Sequence, residues 1–443
     1  MKFEGITYFS FVYNGEVGGR TLMKINAQPF DTMQYFYSDI QPPLIRCCIR
    51  FNGKIDKERL MIALNRVLKA YPILRCKYIA NKREWAEAEF CDNDYLTILT
   101  PDSEQETVEM EKLMSSLLIG IDPPMRIFLI CGEEKDTICV VVSHLICDGR
   151  GFEQLIYRIS KYYSFDDTAR ELACYEDICK RRDFCQITKN FSFFEKIKIL
   201  CSKSVFSSNV TQKAIPLVGK NSNPTILTRT ITPDMFYKLH SFAKKHSSSM
   251  NDVFLTAYVH ALHKQFGWND ITIPSPVDLR RFGGEKTKES VCNLTANYYC
   301  KVHIEKNETY EATLKKISSQ MSKQKAESNC LKGPILFHLL YRIIHYSILK
   351  KIFFKLSPVP VTSYTNLGKI EETKLNFTRI EIAEAFFATA IKPVPYFQLT
   401  VSTFRNQCTL SSCTYAGNRD LSIISDLMDR IYEQIEKIAS IRG

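Results

Sequence analysis

Residues Thr137 to His144 read TICVVVSH. The run is β-branched, almost wholly apolar and eight residues long. It has no wet face to offer, so it cannot be a half-exposed strand with alternating polarity. It has to be a strand covered on both sides, at the centre of a sheet. Met125 to Cys131 (MRIFLIC) is of the same kind, and Gly132-Glu133-Glu134-Lys135 between them is polar and turn-forming. The two runs are expected to form a hairpin. An Asp148-Gly149 turn follows, and then Phe152, Leu155, Ile156, Ile159 and Tyr163 mark one face of a helix. A chain built around this unit is a layered α/β protein.

The rest of the chain extends that reading. Pro43 to Phe51 is strand-like and ends at the Asn52-Gly53 turn. Asp56 looks like an N-cap for a helix with Leu60, Ala63, Leu64, Val67 and Leu68 on one face, stopped at Tyr71-Pro72. Ile73 to Ile79 is expected to resume as strand. Residues from about Asp166 to Ser222 are mixed, polar and rich in Cys and Lys, and read as a crossover. A second αβ region begins near Thr225. Its expected helices are Asp234 to Lys245, Asn251 to Phe266, Leu314 to Glu327 and Leu421 to Ile438, with Asn251 or Asp252 near the cap of the second. Its expected strands are Ile271 to Leu279, Thr295 to Ile304, Val359 to Tyr364, Arg379 to Ala385, Tyr396 to Phe404 and Thr409 to Tyr415, the last two paired across Arg405-Asn406-Gln407. The fold class is α/β (α+β), in two lobes of similar size. The domain reading is residues 1–165, a crossover at 166–224, and a second lobe at 225–443.

Composition narrows the function. The chain has 443 residues, enough for two or three domains, and its 45% hydrophobic content is ample for a core. Lys and Arg number 59 against 48 Asp and Glu, a net charge of +11. That excess suits acidic partners in general: phosphate-bearing cofactors, acidic carrier proteins, an anionic membrane face. The basic residues are scattered, the longest run being Lys180-Arg181-Arg182, and no finger, zipper or RNP-type motif accompanies them, so nucleic acid is excluded. Sixteen cysteines contain no Cys-x-x-Cys pair; Cys174, Cys179 and Cys185 have the wrong spacing for a zinc site, and no metal is expected. Cys47, Cys48, Cys131 and Cys139 read as small buried hydrophobes in a reducing compartment. The first residues include Glu4 and no apolar signal core, and the expectation is a cytoplasmic protein. Gly333 to Leu356 (GPILFHLLYRIIHYSILKKIFFKL) is the nearest approach to a membrane span, but Arg342, Lys350 and Lys351 interrupt it. It is read as a buried helix, with a basic amphipathic helix lying on a membrane as the alternative.

The chemistry is concentrated at Ser143-His144-Leu145-Ile146-Cys147-Asp148-Gly149. The spacing His-x-x-x-Asp-Gly is expected by chance roughly 0.014 times in a chain of this composition. It falls at the end of the buried strand, where α/β scaffolds display reactive groups. A histidine there can keep a neutral imidazole and accept a proton near neutral pH. Asp148 can brace the loop, and a buried carboxylate needs a partner. Gly149 is expected to permit the tight turn into the helix. A packed histidine before an ordinary Asp-Gly turn is the bland alternative. His260 and His263 share a helix face without a third ligand and read as packing or solvent-facing groups. Cys147 sits among apolar neighbours, which raise a thiol pKa and blunt it as a nucleophile.

His-x-x-x-Asp-Gly after a β-branched strand resembles the hallmark of the chloramphenicol-acetyltransferase-like superfamily, which includes condensation domains, alcohol acetyltransferases and wax-ester synthases. The resemblance runs along nearly the whole chain: Phe30-Asp31, the segment LMIALNRVLKAYPILR at Leu60 to Arg75, Pro123-Pro124-Met125-Arg126, Met250-Asn251-Asp252-Val253, Ser275 to Arg281 followed by Asn293, and Ser363-Tyr364-Thr365-Asn366-Leu367-Gly368. It implies two lobes, each a mixed sheet flanked by helices, with a tunnel between them. It implies that His144 is a general base that deprotonates an alcohol or amine, which attacks an acyl thioester. Asp148 would pair with Arg280, with Arg281 as the fallback, and Asn366 would contact substrate. The co-substrate implied is acyl-CoA or the phosphopantetheine of an acyl carrier protein, with no cofactor permanently bound and a monomeric enzyme.

Two departures refine this. Many members have His-His at the head of the motif, where this chain has Ser143-His144. The plant-type Asp-Phe-Gly-Trp-Gly segment is absent. The leading reading is an acyltransferase using an acyl-CoA donor. The alternatives are a free-standing condensation enzyme with carrier-bound substrates, and a silent member that binds a carrier or lipid.

Overall fold

A buried strand needs a neighbour on each side, and the computed structural model supplies both. It describes residues 23–101, 123–165, 181–202, 213–219, 223–357 and 359–440. Asp136–Ser143 lies third in a five-stranded sheet, between Leu44–Phe51 and Met125–Cys131; Ile382–Ala388 flanks the former and Leu96–Leu99 the latter. Cys47 faces Val140 and Phe128 faces Cys139 in antiparallel register, and only the outer pair, Leu96–Leu99 with Met125–Cys131, runs parallel. Seven of the eight residues in the central strand are buried. Successive residues of a strand point to opposite faces, so a run without polar alternation is what a doubly covered position requires. The helices Lys57–Ala70 and Gly149–Ser164 pack together beside this sheet. Phe152 of the second meets Phe387 of the edge strand at a centroid distance of 5.4 Å.

The chain divides into two units. One holds residues 1–187 with Arg280–Leu294 and Ile370–Ala390; the other holds Thr188–Leu279, Thr295–Lys369 and Ile391–Gly443. The first also carries a three-stranded sheet of Lys24–Asn26, Glu84–Glu87 and Cys76–Ile79. The second is built on a four-stranded sheet, in the order Thr362–Ile370, Phe397–Phe404, Gln407–Ala416 and Asn223–Ile231, with a ribbon of Asp270–Asp278 and Thr295–His303. The helices Pro233–Lys245, Met250–Phe266, Tyr310–Ala326 and Asn418–Ser440 complete it. Both units are α/β, with sheets flanked by helices.

Several local expectations change. Pro72–Arg75 is a turn of 3₁₀ helix, and only Cys76–Ile79 is strand: proline presets a helical φ, and one tight turn follows before the chain extends. The Met250–Phe266 helix is capped by Ser249, whose Oγ accepts from the Asp252 N–H at 3.3 Å while the Asp252 carboxylate accepts from the Ser249 N–H at 2.9 Å. This is a capping box, in which Asp252 is the third helical residue, not the cap. The Phe397–Phe404 and Gln407–Ala416 hairpin turns on two residues, Arg405 and Asn406, both with positive φ, the backbone of a type I′ turn.

Gly333 to Leu356 is not one buried helix. It forms Lys332–Ile343 and Tyr346–Leu356, and apolar residues of both stand in solvent, Ile343 at 79% exposure. The helix Phe193–Cys201, inside the crossover segment, has no counterpart in the sequence reading. Cys174 and Cys179 lie outside the described residues. Among the described residues the cysteines are free, no helix is long and apolar enough to cross a membrane, and no cluster of His, Cys, Asp and Glu could hold a metal ion.

Candidate active site

His144 stands one residue beyond the central strand, and its backbone is tied on both sides. The His144 N–H donates to the Pro43 carbonyl at 2.6 Å and the Ser143 N–H to the Pro124 carbonyl at 2.7 Å. Those prolines precede the two strands that flank the central one. The chain then turns sharply: the Ser143 carbonyl accepts from the Ile146 N–H at 3.1 Å, and the Ser143 Oγ accepts from the Leu145 N–H at 3.3 Å. Ser143 thus supplies an acceptor within the turn.

Asp148 caps the helix that follows. One carboxylate oxygen accepts from the Gly151 N–H at 2.8 Å. The other accepts from the Leu294 N–H at 2.7 Å and the Arg280 guanidinium at 3.0 Å. Arg280 is 1% exposed, and it also donates to the carbonyls of Ser290 and Cys292 at 3.1 and 2.8 Å. One buried carboxylate therefore serves as helix cap, ion-pair partner and anchor for the Arg280–Leu294 segment. Burial raises the Asp148 carboxyl pKa, but Arg280 and the backbone donors outweigh it and hold the group below the ordinary aspartate value. Arg281 is exposed and lies over the Phe282 ring, 4.9 Å from its centroid.

Two further contacts reach the loop from residues that sequence reasoning had not assigned a role. The Asn293 carboxamide donates to the carbonyls of His144 and Leu145, each at 2.9 Å. Arg181 makes a two-pronged pair with Asp31, both bonds 2.8 Å, and donates to the Ile146 carbonyl at 2.9 Å. Asp31 is fully buried and also accepts from the Trp85 indole at 3.0 Å. Burial lowers the Arg181 pKa, and Asp31 more than restores it. Sequence signals for both were present: Asn293 lies in the segment after the arginines, and Arg181 in the longest basic run. Nothing local distinguishes a buried arginine from a solvated one.

Gly151, two residues after Gly149, is a glycine that the geometry requires. Gly149 is the first residue of the helix, and it is not among the glycines with positive φ. A methyl group at Gly151 would sit 2.9 Å from the Cys147 Cβ and 2.9 Å from the Cys292 carbonyl oxygen, a close approach that only glycine allows. Cys147 is buried, and burial together with Asp148 raises its pKa well above that of a free thiol, the wrong direction for a nucleophile. Asn366 belongs to the other unit, on strand Thr362–Ile370, where its Oδ1 accepts from the Gly368 N–H at 2.8 Å. His260 packs against Tyr310 and shares a hydrogen bond with Thr313 at 3.0 Å. Burial pushes its pKa down to about 4. His263 shares one with the Trp268 carbonyl at 2.9 Å.

A family model described as the condensation domain matches residues 43–331. Gramicidin S synthase 1 of Brevibacillus brevis is 23% identical over 237 residues, half of this chain but 21% of that protein. The chain thus spans a minor part of the curated relative it matches. Among solved structures, the trichothecene 15-O-acetyltransferase TRI3 of Fusarium sporotrichioides superposes with a TM-score of 0.69 at 12% identity, covering 94% of this chain and 95% of that one. The epimerization domain from the third module of tyrocidine synthetase B gives 0.63 at 16% identity, covering 95% and 98%.

Proposed function

We propose that this chain, which belongs to the condensation-domain family, is an acyltransferase that moves an acyl group from a thioester to an alcohol or amine, with His144 as general base. The observation that carries this reading is the construction of the loop. His144 and the next residue are held through their carbonyls by Asn293, and Asp148 and Arg280 lock the turn behind them. A base is effective when its position is fixed before substrate arrives.

In the proposed reaction His144 takes the proton from the acceptor O–H or N–H. The acceptor's lone pair forms a bond to the thioester carbonyl carbon. The tetrahedral intermediate then collapses with cleavage of the C–S bond, and the proton on His144 passes to the departing thiolate. No acyl-enzyme forms, which agrees with the buried, poorly ionised Cys147. Asp148 does not enter the proton transfer; its carboxylate is committed to Arg280, Gly151 and Leu294. Asn366 is proposed as a substrate contact.

The donor is an acyl group on coenzyme A or on the phosphopantetheine of a carrier protein. Kinship with a region of gramicidin S synthase 1 favours a carrier-bound donor; the acetyltransferase fold of TRI3 suits the coenzyme A form. His144→Ala is expected to lower kcat by about 10²- to 10⁴-fold with the melting temperature unchanged. The measurement is thiol release from a panel of acyl-CoA and acyl-carrier thioesters, read by mass spectrometry because the chain has sixteen cysteines. Equal turnover by both proteins would remove His144 from the base role.

A further inference from the structure

We propose that the second unit carries a docking surface for an anionic lipid bilayer, formed by the helices Phe193–Cys201, Lys332–Ile343 and Tyr346–Leu356. Lys332–Ile343 packs on each of the other two. The Phe337 and Phe353 rings meet 5.6 Å apart where it joins Tyr346–Leu356, and the Lys332 ammonium reaches the Ser202 carbonyl just beyond Phe193–Cys201. Each helix is thus anchored on its inner side, yet each also shows an apolar outer side. On the first, Phe193 and Phe194 are 72% and 81% exposed, and Ile197 follows one turn on. On the second, Leu336, Leu339 and Ile343 are exposed at the spacing of a single helical stripe. On the third, Ile348 and Leu356 are exposed.

The charge of these segments decides what the surface fits. Residues 332–356 hold Lys332, Arg342, Lys350, Lys351 and Lys355 and no acidic residue. Phe193–Cys201 adds Lys196 and Lys198, and its one acid, Glu195, receives the Ser192 N–H at its own helix start. Cations interleaved with exposed aromatic and aliphatic side chains are the pattern of helices that lie in a lipid interface. The rings enter the acyl boundary, and the lysines reach to anionic headgroups. A folded partner would have to provide a cavity for each exposed ring, whereas fluid hydrocarbon accepts side chains of any outline. No helix among the described residues is long and apolar enough to span the bilayer, so the contact is with one leaflet.

The test is co-sedimentation of the full chain with vesicles of phosphatidylcholine alone and of phosphatidylcholine with phosphatidylserine. Binding is expected to the second and to fall with added salt. Each lysine near an anionic surface contributes about fivefold in partitioning, so K351A/K355A should weaken binding about 25-fold. F193S/F194S should weaken it about tenfold or more. Both variants should keep the wild-type melting temperature and acyl transfer on soluble substrates, which separates this surface from the reaction proposed for His144. Hydrogen exchange on the wild-type protein should show vesicle-dependent protection in 193–201 and 332–356. Failure of the wild type to bind phosphatidylserine vesicles, binding unaffected by both double substitutions, or protection confined to other segments would each overturn the proposal.

Discussion

Asp148 shows how much one side chain settles at the residue scale. It carries four jobs that a longer or uncharged group could not combine: it caps a helix, pairs with Arg280, receives the Leu294 N–H and closes the loop behind His144. Breaking a buried pair strands the partner's charge, which costs about 3–5 kcal/mol. Asp148→Asn is therefore expected to lower the melting temperature clearly, along with turnover. The pH dependence follows from the depressed carboxyl pKa. The stabilisation is fully present above the unfolded value of about 4 and is lost as pH falls through the folded value. The gap in melting temperature between wild type and Asp148→Asn should accordingly narrow as pH drops below about 4. A constant gap would mean that the ion pair is not what the substitution removes. His144 and Asp148 stood out in the sequence because their types and spacing carry chemistry, whereas Arg280 was expected only through the family resemblance. Asn293 and Arg181 were not assigned because they reach the loop through backbone carbonyls of residues far away in sequence, which have no sequence signature, and the Asp31 partner of Arg181 lies 150 residues away.

Among the elements, regularity decided what could be read. The Lys57–Ala70 helix follows directly from its periodicity, and the central hairpin from two unbroken apolar runs around a polar turn. Ends were decided by capping and turn geometry instead. The Met250–Phe266 helix begins at Ser249 because serine and Asp252 satisfy each other's backbone N–H. Ser249→Ala should cost about 1 kcal/mol in a urea melt, and no loss would show that the cap contributes nothing. Arg379 adopts a positive φ, and the strand expected from that residue begins at Ile382. Gly333 to Leu356 misled for a different reason. Its apolar content resembles a core helix, but hydrophobicity alone does not say which surface covers it.

For the whole molecule, the decisive feature is discontinuity. Arg280–Leu294 and Ile370–Ala390 come from the later half of the chain and belong to the first unit. Without the former, Asp148 loses Arg280 and the Leu294 N–H, and His144 loses the Asn293 contact to its carbonyl. Without the latter, strand Leu44–Phe51 loses its neighbour Ile382–Ala388 and becomes an exposed edge. A fragment ending at Ile187 is therefore expected to lack a cooperative calorimetric transition. A sharp one would show that the first 187 residues hold the fold unaided. Contiguous boundaries at 165 and 224 could not have anticipated this, because strand pairing across more than 300 residues leaves no trace in local composition.

The amino-acid sequence by itself determined the α/β class, the buried strand and the His-x-x-x-Asp-Gly motif at its end, since apolar patterning and reactive spacing are local properties. Tertiary structure alone decided that Gly151 has no room for a side chain. It also decided that Arg181 and Asn293 hold the loop, and that the apolar helices near residue 340 face solvent. Each of these depends on which distant segment arrives within contact distance, and that is set by packing of the whole chain.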